Sequence, residues 1–476
     1  MMKLTCNDTL YTYDAYHLLK AFYPDEEIEQ QVNEEQESQV RIETDRDSCF
    51  CVSLAGEKGE IGQMDRSRRK HLVVSALYEK LSKMAGKKLP WGSLTGVRPT
   101  KMFMQKLEEG VPDQEILNWI EKEHFVSEEK AELGLAIAKR EKELLSRLDY
   151  ENGYSLYIGI PFCPTTCAYC SFTSYPIAQY LDRMDDYLDA LCRELSYIAD
   201  VSKEKKLNTI YLGGGTPTSL SASRLDRLLT HLEQQFSYEH LLELTVEAGR
   251  PDTITAEKLA VLARRGCSRV SVNPQTMQDA VLERMGRAHR ADDILRAYAL
   301  ARESGIGCIN MDLIAGLPGD SAEGFRASLE QVLDLGPENV TVHTLALKKG
   351  SRLMEEGGGL PSGAAVADML DFAWAALRGA GQRPYYLYRQ KYMSGSFENV
   401  GWCRPGAESL YNICMMEELH TIVSLGGGGV TKLVDRATGY IERLANAKYP
   451  QEYIQKIDAI CADKGRVAQF YAAHGR

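Results

Sequence analysis

The chain has 476 residues, 44% of them hydrophobic and 26% charged, which is the make-up of a folded protein rather than a disordered or fibrous one. At about 150 residues per domain, that length calls for roughly three units instead of a single core. A formal net charge of −11 excludes a general nucleic-acid surface, which needs clustered Lys and Arg against phosphates, and leaves room only for a local basic pocket.

The opening residues, MMKLTCNDTLYTYD, hold no apolar run long enough for a signal peptide, and no stretch of about twenty uninterrupted apolar residues follows. The expectation is a cytoplasmic protein without a membrane anchor. Strand-like VRIETD, CFCVSLAG and EIGQM, set between helical segments around Ala15–Phe22 and Arg69–Met84, predict a small α+β domain over 1–112. Residues 113–150, heavy in Lys and Glu, read as a helical connector with a solvated face.

From 151 to 350 the pattern changes to short apolar strands alternating with amphipathic helices. The predicted strands are Ser155–Ile160, Thr209–Leu212, Leu242–Val246, Arg269–Asn273, Cys308–Ile314 and Asn339–Leu345, rich in Val and Ile as parallel strands buried on both faces are. Helices are expected at Ser221–Gln235, Ala256–Arg265, Ala291–Ser304 and Ala322–Leu335. Six βα units in a row make the fold class α/β, with a parallel sheet that is either part of a barrel or open and doubly wound. Residues 351–476 form a C-terminal extension with a helix at Ala364–Ala380, the aromatic and basic stretch PYYLYRQKY, a Gly-rich loop at 425–429 and a terminal helix.

Twelve cysteines in a chain of this length do not suit a disulfide framework, which belongs to small secreted domains. Nine are scattered, and Cys192, Cys267, Cys308 and Cys461 read as buried thiols in apolar segments. The other three, Cys163, Cys167 and Cys170, form C-x₃-C-x₂-C in a loop just after the first strand of the βα series. Three thiolates so close can hold three irons of a [4Fe–4S] cluster and leave the fourth for another ligand. Three structural thiols, or a zinc site with a remote fourth ligand, are the alternatives. Polar residues recur at the C-terminal ends of the predicted strands, where βα loops assemble active sites: Gly213, Gly214, Gly215 and Thr216, then Glu247, then Asn273, Asp312, His343 and Lys348. The glycines are expected to let backbone approach a ligand, and Glu247 to need a cationic partner.

The triplet, with Tyr169 before its last cysteine, resembles the radical S-adenosylmethionine (SAM) superfamily. LYIGIPFC, YLGGGTPT, LTVEAG, VSVNPQTM, NMDLIAGLP and PYYLYRQK…NVGWCRPG resemble the oxygen-independent coproporphyrinogen III oxidase family, and the termini, with LPWGSLTGVRPTKMF, resemble its HemZ-type branch. The resemblance implies an incomplete (β/α)6 radical SAM barrel carrying the N-terminal α+β domain and the C-terminal extension. It implies two cofactors, a [4Fe–4S] cluster on Cys163, Cys167 and Cys170 and SAM chelated to the open iron. It further implies that Gly214, Gly215, Thr216 and Glu247 meet the amino group of SAM, that Gln275, Arg287 and Asp312 make further contacts, that Tyr157 and Tyr169 lie beside the cofactor, and that Ala346 lies at the adenine. No catalytic residue is expected beyond the cluster and SAM.

The implied reaction is oxidative decarboxylation of propionates of coproporphyrinogen III to vinyl groups, giving protoporphyrinogen IX, with a tetrapyrrole substrate and an unidentified electron donor and acceptor as partners. Tyr385, Tyr386, Tyr388, Arg389, Lys391, Trp402 and Arg404 are candidates for the macrocycle and its carboxylates, or an ordinary amphipathic surface. Gly426–Gly429 would approach the ring or simply turn the chain. Many family members read H-I-P-F-C where this chain has Gly159, so a hydrogen-bonding side chain is missing there. The rival readings are a haem chaperone of the same family, a radical SAM haem methyltransferase and, more distantly, a structural iron–sulfur or zinc protein.

Overall fold

The computed structural model describes residues 2–24, 26–32, 40–44, 49–53, 57–60, 65–145, 148–149, 151–348, 350–356, 361–390 and 393–474. Lys391 and residues 61–64 of the strand-like EIGQM lie outside them. The chain forms two compact units: Met1–Lys139 with Leu387–Glu398, and Arg140–Tyr386 with Asn399–Arg476.

The first unit is built on five strands, β1 (Met2–Cys6), β2 (Ile28–Val32), β3 (Val40–Thr44), β4 (Cys49–Ser53) and β5 (Glu57–Glu60), in the order β2-β1-β3-β4-β5. Helices Thr9–Phe22 and Arg66–Ala85 cover it, and Leu4, Val40, Ile42, Leu18 and Leu77 fill its core. Asp8 and Asp65 cap the two helices, accepting from the amides of Leu10 and Arg68. Past the sheet the chain is helical at Thr100–Glu108, Asp113–His124 and Glu128–Leu145, so the expected connector is two helices broken at Phe125, whose φ is +58°. Leu387–Glu398 returns to this unit through Glu398, which accepts from Trp91 Nε1 at 2.7 Å and pairs with buried Lys130 at 2.8 Å.

The second unit follows the βα pattern. Its parallel strands are β6 (Gly153–Ile160), β9 (Lys206–Gly214), β10 (Glu243–Glu247), β11 (Arg269–Ser271), β12 (Cys308–Ala315) and β13 (Asn339–Thr344), with the two-residue strands β7 (Phe162–Cys163) and β8 (Tyr175–Pro176) paired between β6 and β9 in sequence. Leu156, Ile158, Ile210, Val246, Val270, Met311 and Val340 are fully buried, as strands covered on both faces require. The intervening helices start at Ser221, Thr255 and Ser321, each side chain accepting from the amide three residues on.

The sheet is wider than six strands. After β14 (Arg383–Tyr388) and β15 (Asn399–Cys403) on one flank, β16 (Thr421–Leu425) pairs in parallel with β6 on the other, followed by antiparallel β17 (Val430–Asp435) and β18 (Tyr440–Ala445). The order is β14-β15-β13-β12-β11-β10-β9-β6-β16-β17-β18. Because β16, β6 and β9 through β13 all run the same way, their C-terminal ends meet on one side of the sheet.

Candidate functional site

Cys163 ends β7, and the loop carrying Cys167 and Cys170 is fixed from several sides before any ligand is considered. Thr216 N donates to Phe162 O (2.8 Å), Gly215 N to Ile160 O (2.9 Å), Ala168 N to Met285 O (3.0 Å) and Leu353 N to Ala168 O (3.0 Å). Gly213, Gly214 and Gly215 make this possible in a way the sequence reading did not foresee. A Cβ on Gly215 would sit 2.6 Å from Phe162 O, one on Gly213 would sit 2.9 Å from the Tyr211 ring, and Gly214 has φ +107°. The glycines thus let β9 lie against the cysteine loop. The three thiols are half-buried and free of disulfides, Cys163 Sγ lies 3.4 Å from Thr216 Oγ1, and burial pushes the Cys163 thiol up to about 11.

Glu247, at the end of β10, is the charged centre of the neighbouring surface. Tyr211 donates to it, and Tyr211 belongs to a stack of three rings with Tyr157 (centroids 6.2 Å apart) and Tyr411 (4.4 Å). Burial raises the Glu247 carboxyl to about 7; Asp312 adds to the rise, and Tyr211 and His343 oppose it. Asp312 on β12 accepts from Asn310 Nδ2 at 2.7 Å and faces His343 Nε2 at 3.5 Å; burial would raise its carboxyl, but His343 and its hydrogen bonds hold it below the ordinary value.

Gln275 is held in the left-handed region, φ +67°, by Gln275 N donating to Asp312 O (2.8 Å) and Ile314 N donating to Gln275 O (2.9 Å). Arg287 is buried; its Nη1 donates to Tyr169 Oη (3.0 Å) and its Nη2 to the carbonyls of Gly249 (2.7 Å) and Asn273 (2.9 Å). At this end of the sheet the buried atoms Gln275 Oε1, Asn273 Oδ1 and Arg287 Nε have no hydrogen-bond partner among the described residues. Ala346 follows β13 by two residues and is half-buried.

The other candidates are held by contacts of their own. Tyr385 Oη accepts from Asn339 Nδ2 (3.1 Å) at the first residue of β13, Arg404 N donates to Glu338 O (2.9 Å), and Trp402 packs edge-on against Trp374. Arg389 belongs to the first unit, where its amide donates to Val97 O (2.8 Å) and its Nη2 to Ser396 O (2.8 Å). Gly426 closes a tight approach: its φ is +88°, and a Cβ there would lie 2.3 Å from Gly159 O. The groups that sequence reasoning missed are Tyr211, Tyr411 and Arg250. Tyr411 comes from a helix far along the chain and carries no local signal; Arg250 stands only three residues after Glu247 in EAGRPD.

The family model described as the radical SAM superfamily matches residues 157–332. The chain is 41% identical over 380 residues to the oxygen-independent coproporphyrinogen-III oxidase-like protein HemZ of Bacillus subtilis, covering 79% of this chain and 76% of that protein. It is 32% identical over 307 residues to the heme chaperone HemW of Bacillus subtilis, covering 62% and 77%. The coproporphyrinogen III oxidase HemN from Escherichia coli, a radical SAM enzyme, shares the fold with a TM-score of 0.54 at 24% identity, over 67% of this chain and 72% of that one.

The cofactors of this group are a [4Fe–4S] cluster and SAM. The residues present fit both. Cys163, Cys167 and Cys170 lie within eight residues of one another, half-buried and free of disulfides, and three such thiolates can each take one iron of a cluster. Beside them, the unpartnered acceptors of Gln275 and Asn273 and the exposed need of Glu247 for a cation match a small zwitterionic ligand. The chain belongs to the radical SAM superfamily, within the oxygen-independent coproporphyrinogen-III oxidase-like family and on its HemZ branch.

Proposed function

We propose that this chain is an oxygen-independent decarboxylase that turns two propionates of coproporphyrinogen III into vinyl groups, with Cys163, Cys167 and Cys170 each holding one iron. The observation that carries the substrate side is in the cysteine loop itself. Phe172 is 70% exposed, and the Lys348 ammonium stands 5.8 Å from its ring centre. An exposed aromatic ring with a cation over one face suits an apolar macrocycle bearing carboxylates.

When bound, the cluster and SAM supply one-electron chemistry able to remove a hydrogen atom from carbon. The chain's own part is placement. Glu247 receives the SAM ammonium, Gly214, Gly215 and Thr216 flank it, Asp312 accepts from ribose hydroxyls, and Gln275 offers its free carbonyl. Arg287 holds Tyr169 beside the cofactor and keeps Nε for a carboxylate, while Tyr157 and Ala346 complete the lining. Lys348 positions the propionate. Each propionate then loses a β-hydrogen, CO₂ and one electron, the electron passing to a separate acceptor.

Gly159 favours a second reading. A Cβ there would be 3.2 Å from Leu425 O, so the backbone of the 425–429 loop occupies the flank of the position where a histidine side chain stands in many relatives. Haem carriage without turnover needs no donor at that point. The deciding experiment is an anaerobic assay of the reconstituted chain with SAM, reductant and coproporphyrinogen III, followed by mass. Protoporphyrinogen that disappears in Cys163→Ala supports the decarboxylase; stable stoichiometric haem binding with no vinyl product supports the carrier, and methylated tetrapyrrole products would replace both with a methyltransferase.

A further inference from the structure

Arg250 is not used by any role assigned so far. It lies where β10 turns toward the next helix, with 3% of its surface exposed. Its Nε and Nη2 each donate at 2.9 Å to one oxygen of Asp252, a bidentate pair. The remaining nitrogen, Nη1, turns to the cysteine loop: it is 3.0 Å from Thr165 Oγ1, 3.2 Å from Thr165 O and 3.8 Å from Cys167 Sγ. Thr165 in turn donates to Gly286 O at 3.1 Å, so the guanidinium and the loop are locked in register. Asp252 is backed by buried His289 at 3.6 Å. Burying such a pair costs desolvation free energy that a hydrophobic pair would not, so its gain should be sought in what it faces.

We propose that Arg250, oriented by Asp252, is the positioning residue that sets the reduction potential of the cluster through Cys167. The inference rests on Cys167 being a cluster ligand. Reduction adds negative charge to the cluster, and an N–H aimed at a ligand sulfur together with a fixed positive charge stabilises the reduced form more than the oxidised one, which raises the potential. Asp252 holds the fork in place and offsets part of that charge. The two residues therefore have opposite signs: loss of the arginine lowers the potential, and loss of the carboxylate's charge raises it.

The test is a redox titration of the anaerobically reconstituted full chain, without SAM or substrate, following the reduced cluster by electron paramagnetic resonance and counting iron per chain. Arg250→Gln is expected to retain its iron with the reduction equilibrium about tenfold less favourable, a negative shift of about 59 mV for one electron. Asp252→Asn is expected to shift the midpoint the other way by less. A purely structural role would change iron content without opposite shifts. Arg250→Gln with a full cluster at the unaltered midpoint overturns the proposal. Should that variant lose iron, Arg250→Lys and Asp252→Asn decide it: a negative and a positive shift support the proposal, and two unaltered midpoints overturn it. Cys167→Ala that keeps the intact cluster would instead overturn the ligand assignment on which the proposal stands.

Discussion

One strand carries two glutamates with opposite fates. Glu243 opens β10 and is answered wholly from within the chain: Ser409 Oγ (3.0 Å), Leu410 N (2.8 Å) and Thr245 Oγ1 (3.0 Å) donate to it, and Arg269 lies 3.8 Å away. Glu247 closes the same strand, accepts a hydrogen bond from the Tyr211 hydroxyl, and is lifted by burial to about 7. The same residue type is thus structural at one end of the sheet, where Ser409 and Leu410 supply partners, and at the other it is the residue we propose receives the ammonium of SAM. A buried carboxylate without a counter-charge is costly, and that cost is what a bound cation relieves.

This contrast can be broken in four ways, in falling order of effect. Glu243→Gln should cost about 3–5 kcal/mol of folding free energy, because it strands Arg269 without its counter-charge. Chemical denaturation measures this, and SAM affinity per folded molecule should not change. Glu247→Gln should do the reverse, weakening SAM binding by about 2–3 kcal/mol in calorimetry while leaving the apo chain as stable or more so. Equal destabilisation by both variants would erase the distinction.

The third test uses pH. Glu247 pairs with an ammonium only when ionised, so SAM affinity should be level above pH 7 and fall roughly tenfold per unit below it, until the bound-state value is reached. In the apo chain the sign is opposite. The folded form holds a proton between the ordinary carboxyl value of 4.5 and about 7 that the unfolded form has released, so this group's contribution to stability declines as pH rises through that window. Glu247→Gln should flatten both dependences. The smallest effect is at Gln275: Gln275→Gly removes a positive-φ side chain and should stabilise the apo chain by about 1 kcal/mol while weakening SAM binding.

Much of this was legible in the sequence, and for a physical reason. Strands buried on both faces must be continuously apolar, so β6, β12 and β13 fall within two residues of their expected limits, and the helices begin at the Ser and Thr caps that announce them. What escaped depends on partners distant in sequence. The β16 segment, TIVSL, is not among the expected strands, yet it pairs in parallel with β6. Tyr411 reaches the Tyr157 ring from beyond the last βα unit, and the glycines after β9 serve a neighbouring backbone that no local pattern reveals. The aromatic and basic residues after 383 are expected either to meet the macrocycle or to form an amphipathic surface, but Tyr385 and Trp402 are almost wholly buried.

The parallel pairing of β16 with β6 also has a meaning in time. A ribosome delivers β6 and the cysteine loop long before residues 421–425, so during synthesis the first barrel strand presents an open edge with unpaired amides and carbonyls. Until then the nascent chain is open to wrong strand pairing next to the cysteine loop that we propose holds iron. A chain ended before Thr421 should keep that edge open permanently and elute as aggregates in size-exclusion chromatography, so shortening this protein from its C-terminal side removes its safeguard before it removes its chemistry.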